Sequence, residues 1–230
     1  MTVKKSDKKE ARIHKPSGVS PVVIRRLPRY FRYLRELLRA GRMRISSGEL
    51  SAMMHVTASQ IRQDLNCFGG FGQQGYGYNV SYLYTKICEL LGVEEGYRAV
   101  IIGAGHLGKA LVRNSMFEKR GVEVVSLFDV APDVVGTEVG DIPVLHMDEL
   151  ERFCEENVVD IAVLTLPKDQ AEAVAKRLIS LGVRGLWNFT GKELNSLSNE
   201  VVVENVHIGD SLMTLCYKLN YPNGDGEEKV

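Results

Sequence analysis

The stretch Ala99-Val-Ile-Ile-Gly-Ala-Gly-His-Leu-Gly108 decides the fold of this chain. It joins a short apolar run to three glycines in the spacing G-x-G-x-x-G, which is weak alone but here ends a predicted strand and begins a predicted helix. In such a turn, Gly103 permits the bend and Gly105 lets a pyrophosphate approach backbone N–H groups. Gly108 lets the helix pack on the strand.

A second predicted strand, Val122 to Phe128, leads to an acidic residue at the distance that nucleotide binding requires. Asp129 lies 21 residues after Gly108, close to the ~20 that separate the glycines from an acid that hydrogen-bonds ribose hydroxyls. Its charge would repel a 2′-phosphate, so the pattern favours NAD(H) over NADP(H). The helix between the two strands is predicted from Lys109 to about Phe117.

Strands and helices alternate as far as Val206, which predicts a Rossmann fold, a doubly wound parallel sheet, over residues 97–206. Such sheets bind ligands at the carboxyl ends of their strands. For residues after the later strands, ordinary loop chemistry is the alternative. The predicted cofactor-binding residues are Gly103, Gly105, His106, Leu107, Gly108, Asp129, Val130, Thr165, Leu166, Pro167, Asn188 and Phe189.

Charge divides the chain into two contrasting halves. Residues 1–90 hold 16 Lys and Arg against 6 Asp and Glu, a net charge of +10, and residues 91–230 hold 13 against 23, a net charge of −10. This asymmetry indicates a polyanion partner for the first half, although a basic half could instead dock on an acidic one. We expect a flexible basic arm at 1–19, a C-terminal helix at 207–220 and a disordered tail at 221–230.

Two short helices with capping signals follow a longer helix that the pattern starts at Pro28. Ser46 with Glu49, and Thr57 with Gln60, each have the spacing of a capping box. The helices that these caps begin, ending near Met54 and Asn66, have the separation of a helix-turn-helix.

The second of these helices carries a polar stripe suited to DNA. Ser59, Arg62, Gln63 and Asn66 offer donors and acceptors of the kind that read base edges in a major groove, while a merely solvated face is the alternative. The stretch Phe68 to Val80 then has five glycines within the nine residues from Gly69 to Gly77. Interleaved aromatics favour a hairpin, the wing, over a slack linker.

These features predict a winged helix-turn-helix over residues 20–92 that binds double-stranded DNA. The candidate DNA-binding residues are Arg12, Lys15, Arg29, Arg44, Ser46, Ser47, Thr57, Ser59, Gln60, Arg62, Gln63, Asn66, Gln73, Gln74 and Tyr76.

Other functional classes find little support in the sequence. The four cysteines and five histidines are scattered, which argues against a metal site and a disulfide framework and fits the cytoplasm. Neither a secretory signal nor an apolar run of the ~20 residues that span a membrane is expected. An NAD-dependent oxidoreductase is a remote alternative, since no substrate domain follows the sheet, and we expect no enzyme activity. A Rossmann domain that serves only dimerisation or another effector is the nearer alternative.

The motifs together resemble the redox-sensing transcriptional repressor family Rex from about Ser20 to Leu219. The resemblance is carried by RLPRY at 26–30, RISS at 44–47, IRQDL at 61–65, the glycine-rich wing, GAGHLG at 103–108, FD at 128–129 and NF at 188–189. It implies a homodimer that binds an A/T-rich inverted repeat and is released by NADH bound at the dimer interface, with the final helix swapped into the partner. By position, Arg44, Ser46, Ser47, Ser59 and Arg62 would contact DNA.

Several positions depart from the family pattern. His106 stands where the glycine turn usually has Asn, Gly191 stands for Pro, and Gln73-Gln74 replaces a basic pair. Asn114 stands for a Tyr that distinguishes NADH from NAD+, and His207 stands for an Asp that pairs across subunits with the arginine at position 26. We therefore expect a divergent paralog whose switch residues, Arg26, Asn114 and His207, respond weakly to NADH.

Overall fold

The fold is given by a computed structural model in which residues 19–69, 72–73, 76–197, 199 and 201–221 are described. The chain divides into two compact units, Met1–Glu94 and Glu95–Val230. The division falls between the winged helix-turn-helix predicted over residues 20–92 and the Rossmann fold predicted over residues 97–206. Residues 1–18 of the arm predicted at 1–19, and residues 222–230 of the tail predicted at 221–230, lie outside the described residues.

The first unit combines four helices with a small antiparallel sheet among its described residues. The strand order is β1-β3-β2, so the hairpin predicted for the wing is confirmed in the pairing of β2 with β3. The elements are α1 (Pro21–Arg39), β1 (Arg44–Ile45), α2 (Ser47–Met54), α3 (Ala58–Asn66), β2 (Gly72–Gln73), β3 (Gly77–Asn79) and α4 (Val80–Leu91).

The long helix α1 begins seven residues earlier than the pattern predicts, at Pro21 rather than Pro28. The side chain of Ser20 accepts a hydrogen bond from the N–H of Val22, and Pro21 occupies the first turn, where its missing N–H costs nothing. Pro28 lies inside the helix on its exposed side. The prediction was wrong because two prolines carry the same start signal, and burial of Leu27 and the residues after it extends the helix across the second one.

The core of the first unit is built by the apolar faces of its helices. Alpha helices α1 and α4 pack on one another, with Phe31 and Tyr84 stacked at 5.4 Å between ring centroids. Helices α2 and α3 close the remaining side through buried Leu50, Ile61 and Leu65. The polar faces of both short helices are thereby left at the surface.

The second unit is a seven-stranded sheet with the order β10-β9-β8-β4-β5-β7-β6, parallel except for the antiparallel edge strand β6. This confirms the doubly wound Rossmann fold. Its elements are β4 (Tyr97–Ile102), α5 (His106–Arg113), β5 (Val122–Asp129), β6 (Glu138–Val139), β7 (Ile142–His146), α6 (Leu150–Glu156), β8 (Ile161–Leu164), α7 (Ala171–Ser180), β9 (Gly185–Asn188), β10 (Val202–Asn205) and α8 (Ile208–Asn220).

Alternate residues of the central strands face two different helical layers. Val100 and Ile102 pack against α6 and α7, whereas Ile101 packs on the other face with Phe117 beyond the end of α5. Strand β4 lies between β5 and β8, so the direction of chain progression reverses there. The crevice at the carboxyl end of β4 is therefore the place where such a sheet holds a ligand.

Helix α5 differs from the predicted range, since it starts at His106 and ends at Arg113 instead of running from Lys109 to Phe117. Asn114 takes an extended conformation at its end, and a single 3₁₀ turn at Glu118–Arg120 follows. Phe117 is buried, but it lies beside this turn and not in a helix. The spacing of apolar residues alone cannot distinguish these two cases. Among the described residues, no helix is long and apolar enough to cross a membrane.

Candidate functional site

The caps of the helix-turn-helix set the positions of its two short helices. At α2 the capping box is complete: Ser46 Oγ accepts from the N–H of Glu49, and Glu49 Oε2 accepts from the N–H of Ser46 at 2.8 Å. At α3 only half of the predicted box forms. Thr57 Oγ1 accepts from the N–H of Gln60, but the amide of Gln60 turns away and donates to Asp64.

The predicted reading face of α3 is exposed along its whole length. Ser59, Arg62, Gln63 and Asn66 all face solvent, while Ile61 and Leu65 are buried on the opposite side. Arg62 Nη1 donates to Ser47 Oγ at 3.1 Å, which joins the reading face to the first turn of α2.

One cationic residue and one aromatic residue are in contact at the wing. The Arg44 guanidinium lies over the ring of Tyr76, 5.7 Å from its centroid, and Nη1 donates to the Tyr76 carbonyl at 3.3 Å. Tyr76 is 71% exposed, so the pair projects from the unit. Gln73 belongs to β2, whereas Arg12, Lys15 and Gln74 lie outside the described residues.

Arg29 has an internal partner that the sequence does not indicate. Its Nη2 donates to the Met54 carbonyl at the end of α2, where a cation also interacts favourably with the helix dipole. Thr57 and Ser46 are likewise engaged in caps. These three predicted DNA-binding side chains therefore have structural partners in the free protein.

Asp64, which is not among the predicted site residues, is the fully buried carboxylate of α3. Its Oδ1 accepts from Arg26 Nη2 at 2.6 Å and from Gln60 Nε2 at 2.9 Å, and its Oδ2 accepts from Arg26 Nε at 2.6 Å and from the Tyr30 hydroxyl at 2.9 Å. Burial opposes ionisation, but the hydrogen bonds from Arg26, Gln60 and Tyr30 outweigh it and lower the pKa of Asp64. Burial and the bond to Asp64 raise the pKa of Tyr30.

In the second unit, the glycine turn has the close packing that its spacing predicts. A Cβ on Gly103, whose φ is +103°, would lie 2.6 Å from the Thr165 carbonyl oxygen, and a Cβ on Gly108 would lie 2.1 Å from that of Gly103. Thr165 Oγ1 donates to the Gly103 carbonyl at 2.8 Å. A Cβ on Gly105, by contrast, would meet nothing within 4 Å, so the space in front of the α5 N-terminus is open.

Asp129 lies beside this turn and holds it. Its Oδ2 accepts from the N–H of Ala104 at 2.6 Å, and its Oδ1 accepts from the N–H groups of Val130 and Ala131 at 2.7 and 2.9 Å. The acid at the end of β5 is thus within hydrogen-bond distance of the glycine loop itself. His106, Leu107 and Val130 are exposed around the same opening.

The predicted ligand residues after β8 and β9 divide into two kinds. Leu166 and Pro167 lie partly or fully at the surface beyond β8. Asn188 is buried, and its amide is fully used: Nδ2 donates to the Lys192 carbonyl and to Asn205 Oδ1, and Oδ1 accepts from Thr190. Its side chain therefore holds the loop after β9, while Phe189 packs its ring on Trp187.

The three predicted switch residues have separate surroundings. Arg26 is bound to Asp64. His207 Nε2 lies 2.7 Å from Glu193 Oε1, and Glu193 Oε2 accepts from Asn205, which connects the start of α8 to the buried Asn188. Asn114 is exposed at the end of α5.

A cavity of about 570 Å³ in the second unit lies away from the glycine turn. It is bordered by the amino ends of β4 and β5, the end of α5 and the turn between β6 and β7, and Asn114 is among its lining residues. In the part of the chain that the structure describes, no three His, Cys, Asp or Glu side chains are grouped to hold a metal ion.

A winged helix-turn-helix followed by a Rossmann unit with an open glycine turn defines a class of protein: DNA-binding regulators that carry a nucleotide-binding domain. The family model described as "Putative DNA-binding protein N-terminus" matches residues 18–66, and that described as "CoA binding domain" matches residues 94–191.

Comparison with known proteins identifies the family. The chain is 50% identical over 206 residues to the redox-sensing transcriptional repressor Rex of Caldicellulosiruptor saccharolyticus, covering 90% of this chain and 94% of that protein. It is 47% identical to the Rex of Clostridium beijerinckii, covering 90% and 98%. The chain belongs to the Rex family of redox-sensing transcriptional repressors, as the resemblance predicted.

Solved structures of a Rex-family repressor, RSP, have the same fold. The crystal structure of RSP with β-NAD+ and operator DNA matches with a TM-score of 0.83 and 50% identity, covering 89% of this chain and 94% of that one. RSP with β-NADH matches with a TM-score of 0.82 and 46% identity, covering 90% and 96%.

Proposed function

We propose that this chain is a repressor that binds operator DNA through α3 and the wing and senses NADH and NAD+ at the glycine turn. The observation that carries the proposal is the open space at Gly105 between two glycines packed against backbone, in a chain that also exposes a reading helix. RSP, half identical in sequence, has been crystallised with operator DNA and with both redox forms of the nucleotide.

The DNA partner is double-stranded, and its sequence is an A/T-rich inverted repeat. Arg62, Gln63 and Asn66 would contact base edges, and the Arg44–Tyr76 pair would enter the neighbouring minor groove, where A/T-rich sequence is narrow and attracts cations. The net charge of +10 over residues 1–90 supplies phosphate affinity. Log affinity should therefore fall steeply as log salt rises.

The nucleotide is NAD(H), with the pyrophosphate at the N–H groups of the turn and the ribose at Asp129. Calorimetric titration with NADH, NAD+, NADPH and CoA tests this assignment, since CoA shares the pyrophosphate but not the nicotinamide. NADH should bind more tightly than NADPH. Asp129→Ala should weaken the binding of NADH by about 1.5–3 kcal/mol, the contribution of a charged hydrogen bond. It should also narrow the difference in affinity between NADH and NADPH. Equal affinities of the unchanged protein for NADH and NADPH would contradict it.

A second candidate, a Rossmann unit that serves only dimerisation, is favoured by one observation. Asp129 and Asn188 have their hydrogen-bonding atoms engaged within the chain, so the turn is satisfied without a ligand. The same titration distinguishes the two functions, because this candidate predicts no heat with any of the four nucleotides. We propose no enzyme activity, and a repressor of this kind acts in the cytoplasm.

The biological unit is a homodimer into which α8 is swapped. Two apolar stripes on opposite sides of α8, one with Leu212 and Leu215 and the other with Met213 and Tyr217, are each more than half exposed in the single chain. A helix apolar on two sides needs cover from two surfaces. The mass in sedimentation equilibrium should be that of two chains.

The response to NADH is weakened, because two of the three switch residues, Asn114 and His207, differ from the family pattern. Arg26 is occupied by Asp64, His207 contacts Glu193 and cannot supply a negative charge, and Asn114 lacks an aromatic ring. Without a differential contact, a bound ligand shifts no equilibrium. NADH should therefore release the protein from its operator poorly, as measured by fluorescence anisotropy of the preformed complex.

The matched variant for this test is Asn114→Tyr with His207→Asp, which restores both family residues. We expect release by NADH to improve in the variant. If the unchanged protein dissociates at low NADH and the variant does no better, the two positions are neutral and the response is intact.

A further inference from the structure

We propose that Asp64 is a positioning residue for DNA recognition: with Arg26 and Tyr30 it sets the rotation of α3 about its own axis. The inference rests on the proposed DNA-binding function and concerns a residue that would not itself touch DNA, since its carboxylate is fully buried. The observations that carry it are the four donors on Asp64 and the sources from which they come.

Three of the four hydrogen bonds come from α1 and one from α3 itself. Arg26 binds Asp64 with two nitrogens on two oxygens, a side-on geometry that allows only one relative orientation of the groups. The apolar contacts of Ile61 and Leu65 lack such directionality. The ionic fork therefore distinguishes between rotational settings of α3 that apolar packing leaves close in energy.

Stability alone does not account for this arrangement. Burying an ion pair costs desolvation free energy, and well-packed apolar residues in its place often leave a protein equally or more stable. Gln60 also gives up its half of a capping box in order to donate to Asp64. The side chain of Gln60 therefore contributes to the orientation of α3 and not to its N-terminal cap.

Orientation matters at the opposite surface of the same helix. Arg62 and Gln63 directly precede Asp64 in sequence and are exposed to solvent. A rotation of 20° would move side-chain atoms about 6 Å from the axis by about 2 Å, which is enough to break hydrogen bonds to base edges. Phosphate contacts, made by long cationic side chains, tolerate such a shift far better.

The test compares specific with non-specific binding by the full chain. The variant Arg26→Met with Asp64→Leu replaces the pair by apolar side chains of similar size, and Arg177→Met with Glu151→Leu removes an ion pair of the second unit as a matched control. Affinity is measured for the duplex that the unchanged protein enriches from a random library and for a scrambled duplex. The unchanged protein must first show a preference, and lack of one would be a failure of the proposed function instead.

We expect the preference for the selected duplex to fall about tenfold or more in the first variant, a loss comparable to one base-edge contact, with scrambled-duplex affinity retained. The melting temperature falls, because the buried Tyr30 hydroxyl loses its partner. The control should keep its preference. An unchanged preference, or a parallel fall in both affinities, would overturn the proposal. If the double variant does not fold, Tyr30→Phe replaces it, because it deletes a single hydroxyl from the cluster. Its preference for the selected duplex should also fall, and an unchanged preference would overturn the proposal.

Discussion

The reading helix α3 and the glycine turn each involve an aspartate that accepts several hydrogen bonds, but their packing differs. The charged Arg26 and the polar Tyr30 of α1 hold α3, through a carboxylate that no solvent reaches. The side chain of Asp129 accepts a hydrogen bond from the turn, but the close packing of the turn depends on the absence of side chains, since Gly103 and Gly108 bring their backbone against Thr165 and against each other. A site that must aim side chains depends on directional bonds, whereas a site that must admit a ligand depends on empty volume.

The largest effect should follow from adding one methyl group to the turn. Gly108→Ala would place a Cβ 2.1 Å from the Gly103 carbonyl oxygen, a backbone atom that cannot move aside cheaply. We expect a loss of about 2–3 kcal/mol from overpacking. Urea unfolding followed by the fluorescence of Trp187, the one tryptophan of the chain and a residue of β9, would measure it in the second unit.

Gly105→Ala is the control within the same turn. Its φ of −72° suits any residue, and its Cβ would meet nothing within 4 Å, so the cost should stay below about 1 kcal/mol, that of a poorer helix cap. Affinity for NADH should nevertheless fall, because the methyl group occupies the space in front of the N–H groups. Equal destabilisation by both variants would show that the turn is not packed as described.

The next largest effect distinguishes residues of α3 that contact DNA bases from residues that hold the helix in place. Arg62→Ala removes an exposed side chain whose one bond, to Ser47, contributes little to stability. We expect it to cost about 1–3 kcal/mol of discrimination between the selected and a scrambled duplex. Arg152→Ala, an exposed arginine of α6, is the control and should leave the discrimination unchanged. A loss in Arg62→Ala that is equal for both duplexes would assign it to phosphate contact instead.

The same contrast explains what the sequence could predict. Glycine spacing, the acid at Asp129 and the strand before the turn are local in sequence, so the Rossmann fold and the location of its turn were predictable. The exposed stripe of α3 was predictable for the same reason, because helical period assigns faces. Family resemblance added what these patterns lack, and it is confirmed at 50% identity.

Contacts between distant residues were not predictable from pattern. Arg26 and Asp64 are 38 positions apart, and nothing in either neighbourhood indicates the pair. Asn188 remains a predicted cofactor-binding residue, and the bonds of its side chain to Lys192 and Asn205 could not be predicted, since a buried amide takes the partners that the folded loops provide. The one available signal for Asp64 was an acid on the apolar side of a helix in a basic half.

The smallest effect concerns the cap that fixes the start of α2. Hydrogen bonds from the backbone of Ser46, then from Arg42 and the Ser46 hydroxyl, lower the pKa of Glu49 from 4.5 to about 2. Because the folded pKa is the lower one, the stabilisation is full above pH 4.5 and is lost as the pH falls towards 2. The difference in melting temperature between the unchanged protein and Glu49→Gln should narrow as the pH falls across that window.

An NMR titration of the Glu49 carboxyl should give a midpoint near 2 in the unchanged protein. In Arg42→Ala the midpoint should rise but stay below 4.5, since the bonds from Ser46 persist. A midpoint at 4.5 in the unchanged protein would mean that the capping box is open in solution, and that α2 is held by its apolar face and by the bonds from Arg29 and Arg62.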